Sequence, residues 1–248
     1  MIRRIIRPAL AAALVALAPA AHAAPEWTVT PYLWAAGYDG TVGVAGGDSG
    51  LGDRVSFDFG SLSDNMRLGG FMLNASWRND RWTAFGDWTY AKVKSDSPTS
   101  VPALYGSVNG EIKGNIVQGN VGYDLAGNAN SHLDVFAGAR FYDLDVKLGL
   151  GGGALQDRTL QGDAQWVDGV VGARWVARFA PSWEAYLQGD VGGGGSDLSY
   201  QAIAALGYRF SWGSLVGGWR YLHVDYEDGP YRLDAALTGP FLGATFRF

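Results

Sequence analysis

A chain of 248 residues with no Cys, 37 Gly, 10 Trp, 12 Tyr and 11 Phe, and only 17% charged residues, does not have the make-up of an ordinary water-soluble domain. Its 48% hydrophobic content excludes a collagen or a disordered tail, and the lack of Cys excludes disulfide scaffolds, thiolate metal sites, Cys nucleophiles and a lipoprotein anchor. The formal charge of −5 gives no basic face for a nucleic acid, so no nucleic-acid partner is expected.

Residues 1–23 carry Arg3, Arg4 and Arg7, an Ala/Leu run from Ala9 to Ala20, and small residues at Ala21 and Ala23. This is the pattern of a cleaved secretory signal peptide, and the apolar run is too short to cross a bilayer. The Arg3-Arg4 pair also hints at a twin-Arg signal. Cleavage after Ala23 removes three Arg and no carboxylate, taking the charge from −5 to −8. Residues 24–248 form the mature unit.

Beyond Pro25 no apolar run reaches transmembrane-helix length, and the recurring pattern is alternation with period two. Leu133, Val135, Ala137, Ala139 and Phe141 make one apolar face, interleaved with Asp134, Phe136, Gly138, Arg140 and Tyr142. Extended along the chain, the pattern predicts about ten strands: Trp27 to Tyr38, Arg67 to Trp77, Trp82 to Lys94, Glu111 to Asp124, His132 to Leu148, Gln165 to Phe179, Trp183 to Gly193, Leu198 to Ser211, Ser214 to Tyr226 and Leu233 to Phe248. Eight or twelve strands are the alternatives.

Connections alternate between short (Asn79-Asp80, Leu125 to Ser131, Ala180 to Ser182, Trp212-Gly213) and long (Asp39 to Met66, Ser95 to Gly110, Gly149 to Ala164). Short periplasmic turns, long outer loops and aromatic strand ends such as Trp77, Trp82, Tyr123, Trp183 and Tyr208 predict an all-β fold, a transmembrane antiparallel up-and-down barrel with both termini periplasmic. A soluble β-sandwich is the competing reading.

The chain ends GPFLGATFRF, with Leu242, Ala244, Phe246 and Phe248 on one face and an aromatic terminus, like the C-terminal assembly signal of bacterial outer-membrane proteins. Together with WTVTPYLWAAGYDGTVGV, WVDGVVGARW, GDVGGGGSDLSYQA and GWRYLHVDYEDG, this resembles a widespread group of Gram-negative outer-membrane β-barrel proteins. The resemblance spans the mature chain and implies fold and location, but no activity, substrate or catalytic residue. Where that group commonly has a Gly-Gly-Phe-Gly stretch, this chain has Gly192 to Gly195.

Strand parity gathers Arg78, Arg140, Arg174, Arg178, Arg209, Arg220 and Arg247 on the inward face with Asp87, Asp124, Asp134, Asp168, Glu184 and Asp190, and no Lys. A planar guanidinium can bridge two carboxylates through fixed hydrogen bonds, which suits a desolvated network in a narrow lumen. Arg140, Arg174, Asp134 and Asp168, on neighbouring strands, are expected to share one such network. The leading reading is therefore a structural or passive barrel with a filled interior; a narrow channel for small solutes or ions comes second, and a lipid-active enzyme third.

The enzyme reading finds little support. His132 sits at a strand base, and the His223–Asp225 pair points outward with Leu198, Tyr200, Ala236 and Thr238 facing it and no Ser nearby. No catalytic, cofactor or metal residue is assigned. The glycine runs at Gly151 to Gly153 and Gly192 to Gly195 precede no helix and read as turns. Acidic outer segments, among them Asp39, Asp58, Asp96, Asp157 and Asp197, are solvated or share divalent cations with lipid phosphates. The expected partners are outer-membrane lipid, lipopolysaccharide and the outer-membrane assembly machinery.

Overall fold

In the computed structural model, the described residues are 25–44, 52–57, 66–97, 107–151, 158–228 and 231–248. The expected signal peptide, residues 1–23, lies outside them. Alternating side chains favour extended backbone, and twelve strands form: β1 Glu26–Trp34, β2 Gly37–Val44, β3 Gly52–Phe57, β4 Met66–Asn79, β5 Trp82–Ser97, β6 Ser107–Asp124, β7 Ser131–Gly151, β8 Arg158–Ala180, β9 Trp183–Gly193, β10 Leu198–Arg209, β11 Gly213–Asp228 and β12 Tyr231–Arg247. No helix occurs among the described residues.

Ten of these strands close an antiparallel barrel, in which β1 and β4 to β12 follow chain order and β1 pairs back onto β12. The closing register runs from Thr28 opposite Arg247 to Trp34 opposite Phe241. At its foot Trp27 and Phe248 exchange backbone hydrogen bonds of 3.2 and 3.0 Å. Leu242 and Phe246 are exposed on the outer face and Phe248 projects from the seam, 77% exposed. Ala244 shares their parity, half-buried.

The first predicted strand is interrupted. β1 and β2 keep one register along β12, Trp34 opposite Phe241 and Gly37 opposite Thr238, but the ladder breaks at Ala35-Ala36, opposite Gly239-Pro240. Pro240 has no N–H to donate, so only the bond from Ala35 N–H to the Pro240 carbonyl, 2.9 Å, remains there. A Cβ on Gly239 would sit 2.0 Å from the Ala35 carbonyl, so the two chains approach too closely for any other residue. Above this point β2 turns back into β3, a hairpin inside what the sequence reads as a long loop.

Barrel height is uneven. β7 and β8 run for 21 and 23 residues while β9 and β10 have 11 and 12. The β9–β10 connection is a short turn in which Gly194 adopts φ +123°, a conformation that L side chains rarely hold. Outer connections are thus not uniformly long.

The outer face carries the apolar residues: Val121, Val135, Val167, Val171, Leu187, Val191, Leu206 and Leu215 are all exposed. A soluble sandwich would bury them against a second sheet, and none is present among the described residues. Around the terminal end Trp27–Trp77, Trp82–Tyr123 and Trp183–Tyr208 pack with ring centroids 6.4, 5.2 and 5.1 Å apart. A second tier, Phe71–Trp88 and Tyr200–Tyr221, lies six to eight residues further along the strands, roughly 20–27 Å of extended chain. An apolar belt between two aromatic tiers on a closed sheet is the construction of a transmembrane barrel.

Such a barrel has no free ladder to unravel between the tiers. The unheated protein is expected to migrate faster than the boiled one in detergent gels, and Phe248→Asp to abolish the fast band. Normal migration of that variant would show that the aromatic side chain of Phe248 is dispensable for closing the barrel.

Candidate functional site in the barrel interior

Parity aims one residue in two at the axis, and the narrow circumference brings inward polar groups from distant strands into contact. Across the middle runs a hydrogen-bonded belt. Arg140 on β7 donates to Asp190 on β9, and through Nε and Nη2 to the Gln118 carbonyl on β6 at 3.0 and 2.8 Å. Asp190 also accepts from Gln188 at 3.2 Å and from Gln201 on β10 at 3.0 Å. The Gln201 carbonyl in turn accepts from Arg220 Nε at 2.8 Å. Arg220 donates from Nη1 to Asp87 at 2.9 Å and to the Tyr32 hydroxyl at 2.6 Å, and the same hydroxyl donates to Asp87 at 2.9 Å. Both members of the Arg140–Asp190 pair have side chains that are 0% exposed.

Nearer the termini a second cluster centres on Asp134, which accepts from Arg78 at 2.6 Å and from Arg174 at 2.9 Å. Arg174 also donates to Thr83 at 2.8 Å and lies 4.1 Å over the Phe85 ring. Asp124 stands 3.6 Å from Arg78 and 2.7 Å from His132 Nδ1, so the strand-base histidine has a carboxylate partner. At the mouth Glu184 holds Arg247 through both oxygens, 2.8 and 2.7 Å, with Arg209 3.9 Å away.

Two expectations need correction. Asp168 is fully buried but ion-pairs with no Arg among the described residues; it accepts from the Ser196 N–H and hydroxyl, both at 2.7 Å, tying the β9–β10 turn to β8. The expected four-residue network therefore divides: Arg174 goes to Asp134 and Arg140 to Asp190, although Arg140 and Asp168 are cross-strand neighbours. Arg178, Cα partner of Glu184, has no carboxylate within 4.0 Å among the described residues, because Glu184 leans over Gly207 toward Arg247. The sequence reading also missed Tyr32, Gln118, Gln188 and Gln201, which parity places inward but which a search restricted to charges passes over, and Ser196, which lies in a turn where parity does not apply.

On the long-loop side of the belt the interior is apolar. Tyr142, Trp166 and Tyr226 stack with centroids 4.6 and 4.1 Å apart, and Trp34, Met72, Ile116, Leu222 and Val224 pack with them. Leu222 is 0% exposed. On the terminal side a cavity of about 280 Å³ opens beneath Arg220.

On the outer face His223 Nε2 lies 3.0 Å from Asp234, not Asp225, and its ring stacks on Tyr200. Asp234, diagonal to His223 across the β11–β12 ladder, was not among the facing residues read from the sequence. Among the described residues no cluster of His, Asp or Glu is arranged to hold a metal ion.

Fold and interior together define a transmembrane β-barrel whose core is polar at mid-height and aromatic above. No protein-family model and no curated protein matches the chain. Solved structures similar to it include Ail, the attachment invasion locus protein of Yersinia pestis, 13% identical over 90% of this chain and 99% of that one with a TM-score of 0.37. The transport unit of the autotransporter AIDA-I from Escherichia coli is 9% identical over 95% and 94%, with a TM-score of 0.41. The outer membrane protein OprG from Pseudomonas aeruginosa is 8% identical over 92% and 97%, with a TM-score of 0.36. At these identities and TM-scores no residue, ligand or role carries over.

The two arginines predict different costs. Arg140→Ala leaves Asp190 with amides and no cation, at a cost of about 3–5 kcal/mol. Arg174→Ala leaves Asp134 with Arg78, so the loss falls to about 1–3 kcal/mol. Urea unfolding in lipid vesicles should rank the midpoints wild type, Arg174→Ala, Arg140→Ala in descending order; equal midpoints would show that water screens the belt.

Proposed function

We infer that this protein is an integral outer-membrane β-barrel of a Gram-negative bacterium with a structural or passive role, its interior closed by side chains and its termini in the periplasm. The observation that carries this reading is the fully buried Arg140–Asp190 pair beneath the stacked Tyr142, Trp166 and Tyr226. An open water-filled pore would leave these groups solvated, and the strands on which they sit would not need to match charges so closely. Support for the location comes from the apolar outer belt, the two aromatic tiers and the aromatic C-terminus. Support for the orientation comes from the tight turns at Asp80 and Pro181, on the same end as both termini.

The role proposed is non-enzymatic and needs no cofactor. Its partners are outer-membrane lipid and lipopolysaccharide around the belt, and the assembly machinery reading Leu242, Ala244, Phe246 and Phe248 during insertion. A narrow channel remains the second reading, favoured by the cavity that opens the barrel from the terminal end as far as Arg220.

Reconstitution into planar bilayers distinguishes them. The wild-type protein is expected to give no stepwise conductance. Discrete, salt-dependent steps from the purified protein would establish the channel instead.

A further inference from the structure

The cavity at the terminal end has two unlike walls. Thr28, Thr30 and Thr245 face it from one side, while Val176, Ile203 and Val216 face it from the other. Its volume of about 280 Å³ is close to the lower bound of small-ligand pockets, about 300 Å³. These three apolar side chains are only half-buried among the described residues.

The charges at the mouth are not balanced locally. Glu184 lies opposite Arg178 in the β8–β9 ladder. The Arg247 guanidinium nevertheless engages both Glu184 oxygens, and Arg209 stands behind it. A Cβ on Gly207 would meet the Glu184 chain at 2.8 Å, so glycine is what lets the carboxylate lean across. Glu26, at 3.6 Å from Arg247, is the other carboxylate in contact with this group. Arg209 and Arg247 thus share Glu184 and Glu26, and Arg178 lines the cavity with no carboxylate within 4.0 Å among the described residues. The β-bulge at Phe179 follows directly and breaks the regular ladder beside it.

We propose that this cavity binds a small organic anion with one charged head and an apolar body, a monocarboxylate of a few carbons, with its carboxylate on Arg178 and its chain along Val176, Ile203 and Val216. A guanidinium offers two parallel N–H donors that match a carboxylate. The apolar wall adds affinity in proportion to the chain buried. Neither part depends on whether the barrel is closed at mid-height, and conductance measures that separately.

The test uses the full mature protein in lipid nanodiscs, with saturation-transfer NMR on acetate, hexanoate and hexylammonium and empty nanodiscs as the blank. Hexanoate is expected to bind saturably, at least tenfold more tightly than acetate, and hexylammonium not to bind. Arg178→Ala should weaken hexanoate about tenfold, a loss typical of one charge-assisted contact. Arg178 is exposed and makes no ion pair among the described residues, so the variant keeps its fold, as heat-modifiable migration will verify. Absence of saturable hexanoate binding, or binding unchanged by Arg178→Ala, overturns the site. Equal affinity for acetate and hexanoate overturns the role of the apolar wall, and comparable binding of hexylammonium overturns the assignment of charge.

Discussion

Closing β1 onto β12 is the contact on which the rest of this structure depends. In hydrocarbon a free strand edge has no water to satisfy it, so each unpaired N–H and carbonyl would cost several kcal/mol, and only a closed sheet escapes that cost. The ladder from Thr28–Arg247 to Trp34–Phe241, finished by Trp27 and Phe248, supplies the closure. It also fixes the circumference at ten strands and thereby the width of the interior.

That width explains the chemistry inside. Of the seven inward guanidinium groups, those at mid-height cannot reach water and find acceptors across the lumen, while Arg178 at the mouth stays exposed. Arg220 does so by reaching Asp87 and Tyr32, residues 133 and 188 positions away in the chain. The glutamines matter as much as the charges: Gln118 and Gln201 relay between the Arg140–Asp190 pair and Arg220, so the belt spans the barrel without a further unpaired charge. Where charge runs out, aromatic stacking takes over, and Trp166 lies between Tyr142 and Tyr226.

The uneven wall has its own logic. β8 extends well past the end of β9, and the short turn after β9 cannot reach the top of β8. It folds onto β8 instead, where Ser196 bonds to Asp168. An inward carboxylate thus becomes an anchor for a turn, rather than a counter-charge for Arg140 opposite it.

Much of this was legible in the sequence. Period-two alternation determines which side chains face in, because a strand has only two faces, and the ten predicted strands correspond to the ten of the barrel with ends displaced by up to seven residues and the first running on into β2. Other features were not. The interruption of the first strand depends on Pro240, more than 200 residues away, and the β2–β3 hairpin lacks a strong alternating signal of its own. Parity states that Arg140, Arg174, Asp134 and Asp168 point inward, but it does not state how far each side chain leans. Pairing was decided by the closed tertiary structure, since register and strand tilt bring Asp190 to Arg140, Ser196 to Asp168 and Glu184 past Gly207 to Arg247.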